Sequence, residues 1–541
     1  MLSSHSDTRP LWFDTATIPK FHQQTGQVVV DVCIIGGGIT GVTAADLLKR
    51  AGKTVAIVDV NRIGCGETGH TTAHLTEVLD IDFQTLIANF GEEGARTAIK
   101  AARHAINTIE ANSKERGIDC GFQRVPGFRF SESEDGVDGL EEESQAALKL
   151  GVQNELLYET PLPFEVARAI RFDNQAQFQP LEYLASLAKG IEGDGSFIFE
   201  ETRMLDIHEG EPCRVTTDRG IIIADDVIVA ANVPVSNRFF LQTKIASYRT
   251  YAIALKVADH FNASALFWDT LDPYHYIRSF EFAGSRYLII GGEDHKTGKD
   301  EHTAVHFQKL EDWAHERFTV EKVTHRWSGQ VIHSVDGLPF IGRNSLSDHV
   351  FVATGFSGTG MTFGTVAGIL LSDLILGQQS PWADLFDAGR VKPWAAIKNY
   401  VRENFDYPSH MITDRFTPAK STDTNLLREN EGAIVRIGSK KVAAYRDPQG
   451  ELHLLSPVCP HMGCYVHWND AERSWDCPCH GSRFTATGQL VNGPAIADLA
   501  TETNDEEAPM IPERYEQPSP LNPFAGPTLS MFFCPLKDKP T

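Results

Sequence analysis

The apolar positions of this chain fall into rhythms that change from one region to the next. Val28 to Ile35 is an apolar run interrupted only by Asp31, the length of a buried parallel strand. Val42 to Ala51 reads as a helix, and Thr54 to Val58 as a second strand. Between 83 and 115, Leu86, Ile87, Phe90, Ala95 and Ala98 recur at helical spacing. Tyr248 to Val257 and Tyr287 to Ile290 alternate instead, which predicts an antiparallel sheet within 240–330. Val350 to Leu376 is the most apolar late stretch. Its many glycines, Ser357, Ser372 and Asp373 make it a buried strand, turn and helix rather than a membrane span.

The rhythm changes again after Trp382. Residues up to about Thr424 read as a helical connector of mixed charge. Short strands follow at Ala433–Ile437, Val442–Tyr445 and Leu452–Leu455, separated by turns at Gly438-Ser439 and Asp447–Gly450. Such a pattern predicts a small antiparallel β-domain with functional groups on its loop tips. Beyond about Ala500 the chain is acidic and then carries eight prolines between 509 and 541, a composition that buries little apolar surface.

At 541 residues the chain exceeds what one hydrophobic core supports, so about two or three domains are expected. A net charge of −23 argues against nucleic-acid binding, which calls for a basic face. It fits solubility and docking to a basic electron-transfer partner. The N-terminus shows no basic stretch followed by a signal-peptide core. Cys33, Cys65, Cys120, Cys213 and Cys534 are scattered, as free thiols of a reducing compartment would be, so a cytoplasmic location is expected.

The first strand runs directly into Gly36-Gly37-Gly38-Ile39-Thr40-Gly41, then helix, second strand and Asp59. This complete order is a dinucleotide-binding fingerprint. Gly36 permits the tight turn, Gly38 lets the backbone approach a pyrophosphate, and Gly41 allows close helix–strand packing. The pyrophosphate rests on the helix N-terminus, and Asp59 accepts hydrogen bonds from the ribose.

Near the C-terminus, Cys459-Pro-His461 and Cys477-Pro-Cys479-His480 each supply one thiolate and one imidazole. Two cysteines on one iron and two histidines on the other hold a Rieske [2Fe–2S] centre, so this chain is expected to move single electrons. A structural zinc site is the competing reading, but zinc folds favour C-x₂₋₄-C and H-x₃₋₅-H spacings. Two disulfides among the four cysteines would leave both histidines unexplained.

These boxes resemble those of the Rieske proteins of respiratory and photosynthetic cytochrome complexes. The resemblance implies Cys459, His461, Cys477 and His480 as ligands and a disulfide between Cys464 and Cys479. It also implies a hydrogen bond from Ser482 to a cluster sulfide. Phe484 stands where those proteins have a tyrosine. One hydrogen bond to the cluster is therefore missing, and a lower potential is expected.

Further along the fingerprint region come Ile63 to His74, Asp336 to Gly342 and Gly355 to Thr362. Together they resemble the FAD-dependent amine and amino-acid oxidoreductases, the group of D-amino-acid oxidase, glycine oxidase and sarcosine oxidase. That family usually has Glu where this chain has Asp59. The resemblance spans about 25–380 and implies an FAD site built from Gly36, Gly38, Ile39, Thr40, Gly41 and Asp59. It adds Gly66, Thr68 and Ala73 of the wrapping turn, Ala231 at the end of a returning strand, and Gly358, Thr359, Gly360 and Met361 near the flavin ring. His70 and His74 lie in the wrapping turn, where some relatives attach FAD covalently and others hold it by hydrogen bonds.

As a whole the chain is similar to bacterial FAD-dependent oxidoreductases with a C-terminal Rieske domain, a likeness that also takes in Gly291–Lys296, Trp468-Asn469, Trp475-Asp476 and Gly481–Phe484. The fold class that follows is an α/β FAD-binding Rossmann-type domain with an inserted α+β substrate domain, plus a C-terminal all-β Rieske domain. The expected layout is an N-terminal extension over 1–24, the oxidoreductase over 25–380, a helical connector over 381–424, the Rieske domain over 425–503 and a Pro-rich tail over 504–541.

The family's substrate sheet places Tyr251, Tyr274, His275, Tyr276 and Arg278 toward the flavin. Tyr251, His275 and Arg278 are the candidate substrate-binding residues. Arg278 has the geometry to clamp a carboxylate, with an inter-strand salt bridge as the competing reading. The expected activity is oxidation of a small-molecule amine or amino-acid-like substrate by FAD. The Rieske cluster then relays single electrons to an acceptor protein or quinone, which favours a dehydrogenase over an oxidase. A flavin/Rieske reductase feeding a monooxygenase is the alternative, although neither a second dinucleotide fingerprint nor a 2-His-1-carboxylate motif is evident. A non-catalytic redox-sensing module is another.

Overall fold

Val30, Val32 to Ile35 and Val55 to Val58 are buried, as strands covered on both faces must be. They lie at the centre of an eight-stranded sheet. The Gly26–Ile35 strand pairs in parallel with Val55–Val58 on one side and Gly220–Val229 on the other. Phe197–Phe199 and Val350–Thr354 extend the parallel layer outward. The coordinates form a computed structural model that describes residues 8–235, 240–258, 263–300, 302–345, 347–390 and 424–502.

Helices Ile39–Arg50 and Gly360–Ile375 pack together against this sheet. Gly364 and Gly368 make their close approach possible: a Cβ at either would lie 2.7 Å from Ile39 or Thr43. Ser357–Ile375 is, among the described residues, the one stretch long and apolar enough to cross a membrane, and it is 72% buried inside the fold.

A nine-stranded, largely antiparallel sheet forms the second layer. Val320–Ser334, Ile245–Val257, Ser285–Lys296 and His275–Phe282 make up the part expected within 240–330. Leu266–Asp269, Gln123–Ser131, Arg168–Gln177, His74–Leu75 and Asn154–Leu157 complete it, so the inserted domain is assembled from separate stretches of chain. The helix expected at 83–115 spans Phe83–Glu115 and kinks at Gly91, where φ is 72°. From Thr8 on, the N-terminal segment is part of this body. Trp12 is fully buried and donates its indole N–H to the Thr71 carbonyl at 2.6 Å.

The C-terminal module has a three-stranded sheet, Glu431–Ile437, Lys440–Arg446 and Leu452–Leu455, matching the expected short strands. A four-stranded sheet of His467–Asn469, Ser474–Asp476, Arg483–Thr485 and Leu490–Asn492 completes it. Most of the expected 381–424 connector and all of the 504–541 tail lie outside the described residues.

Candidate active site and iron–sulfur site

The Gly36 turn is a cradle with no room for side chains. A Cβ at Gly36, whose φ is +111°, would sit 2.4 Å from the Ala230 carbonyl oxygen. One at Gly41 would sit 2.0 Å from the Gly36 oxygen. The backbone therefore presents the N-terminus of the Ile39–Arg50 helix without obstruction, as pyrophosphate binding requires. Thr68 of the wrapping turn accepts from the Ile39 N–H at 3.0 Å. Asp59 accepts from the N–H groups of Gly37 and Asn61, each at 2.7 Å. Burial nevertheless raises its pKa.

This cradle opens into a cavity of about 680 Å³. Gly36, Gly38, Ile39, Thr40, Asp59, Gly66 and Thr68 line it, with Ala231 and the Gly358–Met361 turn. Gly41 and Ala73 do not. Gly41 serves the helix–strand contact, and Ala73 lies behind the wall in a left-handed conformation, accepting from Arg278. The missing side chains at the turn, the open helix end and the acid after the second strand all fit FAD.

Tyr251, His275 and Arg278 were expected to face substrate, and the structure corrects all of these expectations. Strand side chains alternate between faces, so a shift of one position reverses the outcome. Thr250, Tyr274 and Tyr276 line the cavity, whereas Tyr251 and His275 point to the opposite side. The Tyr251 hydroxyl is 2.9 Å from His295 Nε2. His275 Nδ1 is 2.8 Å from Asp269, and its ring stacks on Trp313. Arg278 is fully buried, and its Nη1 donates to the carbonyls of Thr72, Ala73 and Phe178. Its guanidinium braces the wrapping turn rather than awaiting a carboxylate.

Tyr274 and Tyr276, also expected toward the flavin, do line the cavity, together with Asp80, Thr250 and Asp294, which the sequence had not singled out. Tyr274 donates to Asp80 at 3.1 Å, and Asp80 also accepts from the Gly358 N–H at 2.8 Å. Thr250 and Tyr276 share a 2.7 Å hydroxyl–hydroxyl bond, and Thr250 also bonds Asp294. Asp294 stood within the Gly291–Lys296 segment, but no spacing distinguished it. Nothing local marked Asp80. His70 and His74 line the cavity; His74 is held by Thr72 and the Ile277 carbonyl, and burial lowers its pKa to about 3.

In the C-terminal module two matched loops face each other. The Cys459 N–H donates to the Cys464 carbonyl and the Cys477 N–H to the Ser482 carbonyl, each at 2.8 Å. A Cys464–Cys479 disulfide ties the loops together. Cys459 and Cys477 are buried with their thiols against one another. The His461 and His480 rings lie 4.9 Å apart. Burial lowers their pKa values to about 4 and about 3, which keeps both imidazoles neutral, as ligation demands. Ser482 accepts from the Ala495 N–H at 3.0 Å, leaving its own hydroxyl hydrogen to donate, and it reaches Cys459. Two thiols and two imidazoles converging on a clamped loop pair fit the Rieske centre.

The two sites meet. Arg483 and the Leu490–Gly493 segment of the C-terminal module line the same cavity as the Gly36 turn. Asn492 donates to Glu67 of the wrapping turn at 2.8 Å, and Gln330 donates to the Gly481 carbonyl at 2.7 Å. Buried Arg249 reaches Glu472 at 2.5 Å. Burial opposes ionisation of Glu472, but Arg249 and Arg483 outweigh it and hold its pKa at about 2. His480 lies against Ser247, Gln242 and Ile332 across a gap of only about 10 Å³.

Comparison with known proteins agrees with this geometry. Residues 31–374 match the FAD dependent oxidoreductase family and residues 419–503 the Rieske [2Fe-2S] domain. YhfW of Bacillus subtilis (strain 168), named as a Rieske 2Fe-2S iron-sulfur protein, is 34% identical over 90% of this chain and 96% of its own. Gamma-glutamylputrescine oxidoreductase of Escherichia coli (strain K12) is 25% identical over 64% of this chain and 83% of its own. The fold is shared with glycine oxidase from Geobacillus kaustophilus, with a TM-score of 0.57 and 20% identity over 67% of this chain and 99% of that one. This chain belongs to the FAD-dependent oxidoreductase family, binds FAD, and carries a Rieske domain that binds a [2Fe–2S] cluster.

Proposed function

We propose that this protein oxidises an amine or amino-acid-like small molecule and delivers the electrons singly to an acceptor protein or quinone. FAD supplies two-electron oxidation and the cluster supplies one-electron transfer. The observation that carries the reading is the shared cavity: Arg483 and Asn492 of the Rieske module stand in the same wall as Gly329 and Gln330 of the FAD-binding body. Gln330 joins that wall to the residue next to His480. A one-electron centre held this closely serves a two-electron cofactor whose electrons must leave one at a time.

The chain's own groups orient and enclose the reactants. The tyrosines of the antiparallel sheet hold substrate above the Gly358–Met361 turn, and the buried wall excludes water. The assignment of an amine follows the name of the Escherichia coli relative and the cavity's acidic lining. We place the protein in the cytoplasm, on its scattered thiols.

The test is an anaerobic panel of amines and amino acids against purified holoprotein. Bleaching of the flavin by an amine, followed by the EPR signal of a reduced Rieske cluster, supports the proposal. Bleaching by a reduced nicotinamide alone would replace it with the reductase that feeds a monooxygenase.

A further inference from the structure

We propose that the cavity selects a cationic amine without an α-carboxylate, anchored by Asp294 between Tyr274 and Tyr276. The inference rests on the amine-oxidising reading above and narrows its substrate class.

Thr250 bonds Asp294 and also lies 2.7 Å from the Tyr276 hydroxyl. With Asp294 ionised, Thr250 spends its hydrogen on the carboxylate and Tyr276 spends its own on Thr250. Tyr274 donates to Asp80 in the same way, at 3.1 Å. These three hydroxyl hydrogens are therefore consumed, and this part of the wall turns oxygen lone pairs toward the cavity. Asp294 Oδ1 is buried and accepts no hydrogen bond. A buried carboxylate oxygen left so is costly. An ammonium N–H satisfies it, and the aromatic walls favour the same cation. Burial raises the Asp294 pKa to about 7, so the anchor is half ionised at neutral pH and charged above it.

Among the described lining residues a carboxylate finds no uncommitted arginine or lysine. The arginines of the lining are matched by acids: Arg129 by Glu143 at 3.0 Å, Arg203 by Asp498 at 2.8 Å, and Arg483 by Asp476 at 3.0 Å. Arg278 is committed to main-chain carbonyls behind the wall. Asp80 and Asp294 would both repel a carboxylate docked beside them.

Binding can be read without turnover. tert-Butylamine has no α-hydrogen and cannot be oxidised to an imine, so it is titrated into the full-length holoprotein against benzoate, with flavin absorbance as the readout. The expected result is saturable perturbation by tert-butylamine and none by benzoate. Asp294→Asn should weaken the amine by about tenfold or more, the loss of one charge-assisted hydrogen bond, with flavin and iron content unchanged. Tighter binding of benzoate in the wild-type protein, or an unchanged amine affinity in the flavin-replete variant, overturns the proposal. The two readings fail separately. If tert-butylamine binds through Asp294 and no amine bleaches the flavin, the oxidation reading falls and the anchor stands. If amino acids bleach the flavin while tert-butylamine does not bind, the anchor falls alone.

Discussion

The side-chain amide of Gln330 donates to the main-chain carbonyl of Gly481 at 2.7 Å, one residue beyond His480. The same amide donates to Ser247 at 2.6 Å, and Gln330 itself lines the FAD cavity. One residue of the substrate sheet thus fixes the position of a cluster-bearing loop. The contact has no slack: a Cβ at Gly481 would lie 2.2 Å from the Ser247 oxygen and 2.4 Å from the Gln330 nitrogen.

Gly481→Ala should therefore separate the two redox sites. The new methyl displaces Ser247 and Gln330, and the left-handed φ of +77° adds about 1 kcal/mol of strain. Cluster reduction from substrate should slow by about tenfold or more, while flavin bleaching by the same substrate keeps its rate. Stopped-flow absorbance measures both in one experiment.

The Arg249–Glu472 contact predicts how the junction responds to acid. Glu472 has a folded pKa of about 2 against an ordinary value of 4.5, so its contribution is complete above pH 4.5 and is lost as pH falls toward 2. The shift corresponds to about 3 kcal/mol. Glu472→Gln should flatten the stability profile across that window. Chemical denaturation at successive pH values measures the slope.

Amine binding should titrate in the opposite range. Burial, with Asp80, Glu293 and Asp272 nearby, raises Asp294 to about 7 despite the Thr250 hydrogen bond. Below pH 7 the anchor is neutral and the cation is held weakly; above it, affinity rises and levels off. Asp294→Asn should remove that inflection from a titration with tert-butylamine.

Phe484 is fully buried in the cluster module, where the cytochrome-complex proteins it resembles place a tyrosine. Phe484→Tyr supplies a hydroxyl within the module. The cluster potential should rise, because hydrogen bonds to the sulfurs favour the reduced form. Redox titration followed by EPR gives the shift, and a potential unchanged in a cluster-replete variant would rule out the missing bond as its cause.

Much of this organisation was legible in the sequence because it depends on local backbone demands. Gly36 and Gly41 are required by the turn and the helix contact, and the ligand boxes are short enough to be read within a few residues. The sheet positions were harder, because Tyr274 and His275 are neighbours with similar chemistry and only strand register decides which of them faces the cavity. Arg278 was misread for a related reason: its partners, Thr72, Ala73 and Phe178, come from chain segments at least 100 residues away. Asp80 and Asp294 meet only across packed layers, and the Gln330–Gly481 contact exists only once the modules have docked.

In the proposed function, electrons pass within one chain, from the FAD site to the Rieske site. Anaerobic stopped-flow measurement of cluster reduction after substrate addition, repeated across a range of protein concentrations, tests this directly. The expected result is full cluster reduction at a rate independent of protein concentration. A flavin that bleaches while the cluster stays oxidised, or a rate proportional to protein concentration, contradicts it.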